Sequence, residues 1–270
     1  MSLLKSVHTV ARLMVCSFFA LPLFAWSDNS IATDRPDFVE SSDVVGRGRV
    51  QIETGFSEER DRSGGVKSKV RTTPTLIRIG VSDALELRVE TDGYVRSIAG
   101  PSLGGPILRE RGFSDTSVGV KWHLQDGDTT RGTPGTALLA HLDLDSGSAP
   151  FRGQGVRPSL RWVAEWELPQ GFSVGLMPGM FIDRNEDGKR FAAGILAVTV
   201  AKAWSPKWRT FVEIAGQRIA SSRNGGNVVT FDAGIVYLFT DNLQVDLSAS
   251  RGLTDAAPRL QLGAGISTRF

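Results

Sequence analysis

The 270-residue sequence predicts an all-β protein, a transmembrane antiparallel β-barrel of about twelve strands. Three observations carry this prediction. Apolar and polar residues alternate with a period of two over most of the chain, which is typical of strands with two different faces. Most of these segments are longer than the roughly 5–6 residues usual for strands of soluble proteins. The connections between them are alternately short and long, as at the two rims of an outer-membrane barrel.

Each strand is predicted by its own alternating segment. In LELRVE (85–90), for example, three aliphatic residues alternate with three charged ones. Proline cannot donate a hydrogen bond to a β-ladder, so we expect Pro74 and Pro178 to lie at bulges or at strand ends. In chain order the segments lie near 48–59, 67–81, 85–96, 113–124, 136–146, 157–168, 171–182, 190–203, 207–220, 227–239, 243–252 and 259–270.

The connections fall into two groups. SDA, PQG, SPK and DN follow even-numbered strands and are tight turns, which we assign to the periplasmic rim. The odd-numbered strands are followed by longer polar segments, including SIAGPSLGGPILRERG after the third strand. QDGDTTRGTPG (125–135) is the exception, a longer connection on the side of the short turns.

The N-terminus resembles a secretory signal, which gives three expected regions. Residues 1–27 combine a basic start, the apolar run LMVCSFFALPLFAW and small residues at the cleavage position, so we expect a cleaved signal peptide. Residues 28–46 then form a periplasmic N-terminal segment, and residues 47–270 form the outer-membrane barrel. No later apolar stretch approaches the roughly 20 residues of a transmembrane helix.

Charge and cysteine content restrict the function. Lys5 and Arg12 leave with the signal peptide, which reduces the 31 basic residues to 29, equal to the 29 acidic ones. A formally neutral chain gives no reason to expect nucleic-acid binding. Cys16, the only cysteine, leaves as well, so no disulfide is expected. DRNEDG (183–188) begins like a calcium loop, but position 194 is Gly where the bidentate Glu belongs, so we expect no metal and no cofactor.

Large aromatic residues gather near the short turns. Aromatic rings favour the interface between bilayer and water, so we expect a periplasmic girdle. Its members are Trp122, Trp166, Trp204, Trp208, Tyr237, Phe239 and Phe270.

The polar parity of the strands should face the lumen, and it carries charges of both signs. Glu86, Glu167 and Arg269 share this parity. The candidates to line the lumen or contact a solute are Glu53, Arg78, Arg88, Glu90, Lys121, His123, His141, Asp143, Arg161, Glu165, Arg209, Glu213, Asp232 and Asp246. These side chains indicate either a polar passage that selects a solute or a salt-bridge network that fills a closed lumen.

The segment 28–46 has two candidate placements. It can fold back into the lumen as a plug, with Asp34, Arg35, Asp37 and Phe38 as its contact residues, or remain a periplasmic tail. Phe38, Val44 and Val45 favour the first placement, because they are apolar and need burial.

The last strand, RLQLGAGISTRF (259–270), has an apolar and a polar parity and ends on an aromatic residue. In lipid every backbone amide must be paired, so this strand must close on the first one. Such a strand with a terminal Phe resembles the signal that the bacterial barrel-insertion machinery reads. We therefore expect that machinery, outer-membrane lipid and lipopolysaccharide as partners.

The start of the mature chain resembles a known family. TDRPDF (33–38), QIETGF (51–56), LIRIGVSDALELRVETDG (76–93) and SVGVKWHL (117–124) resemble the family called putative MetA-pathway of phenol degradation, also labelled transporter. The resemblance implies an outer-membrane barrel with a transport role and does not specify the substrate.

We expect a barrel that passively admits or binds a small molecule, with aromatic and hydrophobic compounds among the candidates. A closed structural or adhesive barrel is the first alternative. A lipid-active enzyme is the second, but His123 and His141 have lumen parity and no evident serine partner, so no catalytic residue is assigned.

Overall fold

A computed structural model describes residues 30–185 and 187–270, and the expected signal peptide (1–27) lies outside this part of the chain. Three single turns of 3₁₀ helix lie at Ala149–Phe151, Pro169–Gly171 and Ser222–Asn224. The strand segments are β1 (Val50–Ser63), β2 (Val66–Thr72), β3 (Thr75–Gly80), β4 (Leu85–Thr91), β5 (Tyr94–Pro101), β6 (Leu108–Phe113), β7 (Thr116–Gln125), β8 (Gly135–Asp143), β9 (Arg157–Leu168), β10 (Phe172–Arg184), β11 (Arg190–Ala203), β12 (Trp208–Ile219), β13 (Val228–Thr240), β14 (Leu243–Gly252) and β15 (Leu260–Arg269).

These segments form the twelve strands of a closed antiparallel barrel, as the sequence predicts. Three of the strands are each split in two, as β2 and β3, β4 and β5, and β6 and β7. The barrel closes between β15 and β1, in a register that runs from Gln51 opposite Arg269 to Arg60 opposite Leu260. Closure pairs the edges that would otherwise be exposed to lipid.

The two faces of the wall have opposite chemistry. Leu247 is 58% exposed on the outside, whereas Arg78 and Lys121 have no exposed surface inside the barrel. This inversion is what a barrel in lipid requires, because the solvent outside is apolar. No helix among the described residues is long and apolar enough to cross a membrane.

The wall is interrupted at one level across three neighbouring strands. β2 ends at Thr72 and β3 begins at Thr75, so Pro74 lies in the gap between them, as expected. Hydrogen bonds bridge the interruption, since Gly55 N–H donates to the Pro74 carbonyl (3.0 Å) and Thr73 N–H to that of Asp92 (3.0 Å). Gly93 has φ +68°, and a Cβ there would lie 2.3 Å from the Thr73 carbonyl oxygen.

The interruption also changes which residues face outward. In β4 Arg88 points inward, but in β5 Val95 is buried and Arg96 is exposed. The parity therefore shifts by one residue between Thr91 and Tyr94, as it does at a β-bulge. A second shift separates β6 from β7.

Pro178 behaves differently from Pro74. It remains within β10 opposite Leu196 of β11. On the other side of β10, paired positions are absent between Leu176 and Gly179. Neither a bulge nor a strand end results, because the register with β9 is the same on both sides of this gap and the ladder with β11 continues through Pro178.

Strands also extend into the segment SIAGPSLGGPILRERG, which the sequence suggests is a loop. β5 continues to Pro101 and β6 starts at Leu108, so the segment forms a hairpin above the membrane. Among the described residues, β6 has a strand partner only on its β5 side. On its other side Phe113 N–H donates to Ser148 Oγ (2.9 Å) and Ser148 N–H to the Phe113 carbonyl (2.9 Å).

The aromatic residues near the short turns form contacts along the outer surface. The Trp208 and Tyr237 rings lie 4.5 Å apart between centroids, and those of Tyr237 and Phe239 lie 4.8 Å apart. Trp122 and Phe270 are exposed on the same rim. This arrangement suits a girdle at the membrane interface.

Candidate functional site

Residues 30–46, called here the inner segment, run through the barrel lumen. The segment enters beside the β13–β14 turn, where Ile31 N–H donates to the Asp241 carbonyl (2.7 Å). It leaves beside β4, where Val45 N–H donates to Glu86 Oε2 (3.0 Å). Between these points its residues contact β1, β3, β7, β9, β12 and β14.

Asp34 is the centre of the charged contacts. Its carboxylate lies 2.8 Å from Lys121 Nζ and 2.6 Å from Arg88 Nη1, and Arg78 Nη1 is 3.6 Å away. All four side chains are almost completely buried. Without access to water, each of these charges needs an oppositely charged partner, because an uncompensated buried charge strongly destabilises the fold.

Two acidic groups of the inner segment, Asp34 and Glu40, are held ionised by their neighbours. Burial raises the pKa of Asp34, but Arg78, Lys121 and Arg88 together lower it further, leaving it well below its usual range. Burial also raises the pKa of Glu40, and the charges of Arg88 and Arg161 outweigh this effect, so that it lies at about 2. Both groups therefore remain carboxylates at neutral pH.

Wall carboxylates accept hydrogen bonds from the backbone of the inner segment. Glu213 accepts from the Phe38 and Val39 N–H groups, both at 2.8 Å. Glu53 accepts from the N–H groups of Asp34 (3.0 Å) and Arg35 (3.1 Å). These contacts satisfy amides that no strand pairs, so the inward-facing acids position an extended chain.

An apolar part of the inner wall receives the middle of the segment. Val39 packs in a buried cluster of small and aliphatic side chains, with Phe38 at its edge. The wall residues of the cluster come from β8 to β12 and are Ala137, Leu139, Val163, Met177, Ile195, Ala197 and Ala215. The lumen therefore has a charged side on β1, β3, β4 and β7 and an apolar side opposite.

A cavity of ≈ 180 Å³ lies between the inner segment and the interrupted wall. Phe38 and Glu40 line it on the side of the segment, and Pro74, Glu90 and Asp92 on the side of the wall. Arg161 also borders it, with its guanidinium carbon 5.9 Å from the centroid of the Phe38 ring. Among the described residues, Glu90 and Asp92 have no ion-pair partner within 4.0 Å.

The sequence-derived lumen candidates all have the inward parity. Those in contact with the inner segment are Glu53, Arg78, Arg88, Lys121, His123, Arg161, Glu165, Arg209, Glu213 and Asp246. Glu90 lines the cavity, and Arg88 Nε donates to His141 Nε2 (3.1 Å). Asp143 and Asp232 lie in register with Ser117 and Glu213, and none of the described hydrogen bonds or ion pairs joins them to the segment.

Two further lumen residues escaped the sequence-based selection. Gln51 Nε2 donates to the Ala32 carbonyl, and Gln244 Nε2 donates to Thr33 Oγ1, both at 2.8 Å. Both have the inward parity, which is a sufficient signal in the sequence, but their amide side chains are neutral and so do not belong to the charged set predicted above. Glu40 is a further contact residue of the inner segment. Its partners, Arg88 on β4 and Arg161 on β9, are distant in sequence, so the sequence does not indicate these ion pairs.

Comparison with known proteins supports the barrel. The model of the family described as "Putative MetA-pathway of phenol degradation" matches residues 33–270. No curated protein sequence matches the chain significantly.

Several solved structures share its fold at low sequence identity. The COG4313 outer membrane channel from Pseudomonas putida F1 has a TM-score of 0.58 at 11% identity, over 85% of this chain and 98% of that one. The KdgM porin has a TM-score of 0.50 at 13% identity, over 82% of this chain and 99% of that one. The beta domain of the Bordetella autotransporter BrkA gives the same four values. At these identities the likeness shows the fold, that of an outer-membrane barrel.

Proposed function

Because the chain belongs to the putative MetA-pathway of phenol degradation family, we propose that it is an outer-membrane channel through which a small molecule passes or in which it binds. Passage is passive and follows the solute gradient. The similar COG4313 protein is itself described as an outer membrane channel. That description supports a channel and leaves the solute open.

The cavity beside the inner segment is the observation that carries this proposal. An eight-stranded barrel is filled by its own side chains, whereas twelve strands leave more room. The space here presents the Glu90 and Asp92 carboxylates, the Arg161 guanidinium and the Phe38 ring to a solute. We infer that the solute is a small aromatic or polar compound, and that cations enter more readily than anions.

The inner segment is the gate of the proposed channel. It crosses the lumen below the cavity, so a solute reaches the periplasm only when part of the segment moves. Sideways release through the wall at Pro74 is a second exit for an apolar solute, but the interruption there is bridged by hydrogen bonds.

Conductance in planar bilayers tests the gate. We expect small or brief openings for the full chain and a larger, steadier conductance for a variant that lacks residues 31–45. Heat-modifiable migration on gels confirms that both proteins are folded. A folded deletion variant without conductance and without solute-dependent liposome swelling would refute the channel.

A closed structural or adhesive barrel is the second candidate. It is favoured by the number of contacts that fix the inner segment, since seven strands bind it. In that case the segment is part of a filled core, and its removal lowers stability without opening a path. The bilayer experiment separates the two candidates directly.

We assign no enzymatic role to the lumen histidines. The Nδ1 of His123 lies 2.9 Å from the Ser42 carbonyl oxygen, and His141 is buried beside Arg88. Neither ring faces the lipid, where a lipid-active enzyme would need it. The test compares the lipase activity of the unaltered protein with that of His141→Ala. Equal activity of the two proteins would support this assignment, and a loss of activity in the variant would contradict it.

The proposed partners follow from the membrane location. The outer surface contacts outer-membrane lipid, and lipopolysaccharide surrounds the outer rim. The two-faced strand β15 is the element that we propose the barrel-insertion machinery recognises. Crosslinking from an outward position of β15 during insertion tests this last proposal.

A further inference from the structure

The outward face of the outer half of β1, β2, β5 and β6 is densely cationic. Arg60 lies opposite Lys69, and Arg71 lies opposite Arg96. Arg96 in turn lies opposite Arg111 on β6, with Arg109 two positions away. Opposed residues of neighbouring strands share a face, and Arg60 has the parity of the exposed Phe56. These six residues, Arg60, Lys69, Arg71, Arg96, Arg109 and Arg111, are called here the cationic face.

One carboxylate compensates half of the cationic face. Glu58 accepts hydrogen bonds from Arg60 Nε and Arg71 Nε, both at 2.7 Å, and lies 3.2 Å from Lys69 Nζ. The other acids of this wall, such as Glu59 and Glu110, have the inward parity.

The other half of the face has no counter-charge among the residues that the structure describes. Within the described part of the chain, Arg96, Arg109 and Arg111 have no carboxylate within 4.0 Å. Like charges directly opposite each other on a sheet are destabilising. In the row formed by Arg71, Arg96 and Arg111, only Arg71 has a carboxylate partner, and an external anion would relieve the repulsion between the other two.

The level of the cationic face identifies that anion. The chain from Val50 to Arg60 rises by about 25 Å, at about 3.4 Å per residue and a tilt near 40°, which matches the apolar height of such barrels. The Tyr94 and Phe113 rings, 5.4 Å apart, lie just below Arg96 and Arg111. The cations thus begin where the hydrocarbon ends, at the headgroups of the outer leaflet.

We propose that the cationic face binds the phosphate groups of lipopolysaccharide packed against this side of the barrel. A guanidinium presents a planar fork of donors that matches a phosphate, and arginine supplies five of the six cations. The face looks sideways and continues the lipid-exposed surface, so its ligand is a membrane headgroup. Bound lipid would also stabilise the β5–β6 hairpin, whose far edge has no strand partner in the described part of the chain.

Binding of lipopolysaccharide to the detergent-solubilised full chain tests the proposal. We expect Arg96→Gln, Arg109→Gln and Arg111→Gln combined to weaken binding at least about tenfold. This is a lower bound, because the loss of a single charge-assisted hydrogen bond already weakens binding by about that factor. The matched control combines Arg47→Gln, Arg131→Gln and Lys207→Gln, which are exposed at the opposite, short-turn rim, and it should bind like the unaltered protein.

Two further measurements identify the ligand group. Dephosphorylated lipopolysaccharide should bind the unaltered chain as weakly as phosphorylated lipopolysaccharide binds the triple variant, and inorganic phosphate should compete only at much higher concentration. Unchanged binding by a heat-modifiable triple variant, equal binding of the dephosphorylated lipid, or competition by phosphate at equal concentration would each overturn the proposal. Conductance of the triple variant should remain that of the unaltered protein, so this result is independent of the channel.

Discussion

Asp34 Oδ2 lies 2.6 Å from Arg88 Nη1, which connects the segment before the barrel to a strand 54 residues further along the chain. Arg88 also donates to Glu40 Oε2 (2.7 Å), so one wall cation holds the inner segment at two points. Both carboxylates are buried with their partners. The inner segment is therefore fixed mainly by buried ion pairs, and these pairs determine how it responds to mutation and to acid.

Replacing Asp34 by Asn should release the inner segment. Lys121, Arg88 and Arg78 would lose their shared carboxylate, and removing one partner of a buried pair typically costs about 3–5 kcal/mol. We expect a lower free energy of unfolding in urea and a larger conductance in planar bilayers. Asp43→Asn is the control, because Asp43 is exposed and only its main chain takes part in the described hydrogen bonds. Equal conductance of the two variants would argue against Asp34 as the anchor.

Acid should release the segment only at very low pH. Asp34 and Glu40 have folded-state pKa values below their ordinary ones, so their stabilising effect is complete above the ordinary values and disappears as pH falls through the folded ones. We expect little change in conductance between pH 7 and about pH 5, and an increase between about pH 4 and pH 2. Burial raises the pKa of Asp37, although Arg209 opposes this, so Asp37 takes up its proton before Asp34 and Glu40 do, and its Arg209 contact then weakens. A large increase already near pH 6 would contradict this order.

The cavity carboxylates should make the channel prefer cations. Glu90 and Asp92 border the cavity and have no ion pair with any described residue, so their negative charge acts on a passing ion. In a KCl gradient, the reversal potential should indicate preference for K⁺, and Glu90→Gln with Asp92→Asn should move it toward zero. Asp145→Asn, in the outer loop after β8, should leave it unchanged. A reversal potential that is unchanged by the two cavity substitutions would mean that ions do not pass through the cavity.

Gly93 should tolerate no side chain at the wall interruption. Its φ of +68° is unfavourable for alanine, and the added Cβ would lie 2.3 Å from a carbonyl oxygen. Gly64 has φ +56° with nothing within 4 Å of its Cβ position, so Gly64→Ala bears only the backbone strain, on the order of 1 kcal/mol. We expect Gly93→Ala to lower the unfolding free energy more than Gly64→Ala does. Equal losses would show that the wall absorbs the clash.

The alternation of residue types determined most of the barrel. Segments such as LELRVE place aliphatic residues toward lipid and charges toward the lumen, because a strand has a period of two and a membrane barrel has two different solvents. Strand number and the inward parity of residues such as Lys121 and Glu213 follow from this pattern. These features need no knowledge of distant contacts.

Tertiary structure decided where the alternation is broken and what fills the lumen. One-residue shifts after Asp92 and before Thr116 turn Arg96 and Arg111 outward, and strand periodicity cannot reveal them because it assumes an unbroken ladder. The inner segment is placed by ion pairs such as that of Asp34 with Lys121, between residues 87 positions apart. Such pairs depend on which strands the closed barrel brings face to face across the lumen, and a sequence read position by position contains no record of that geometry.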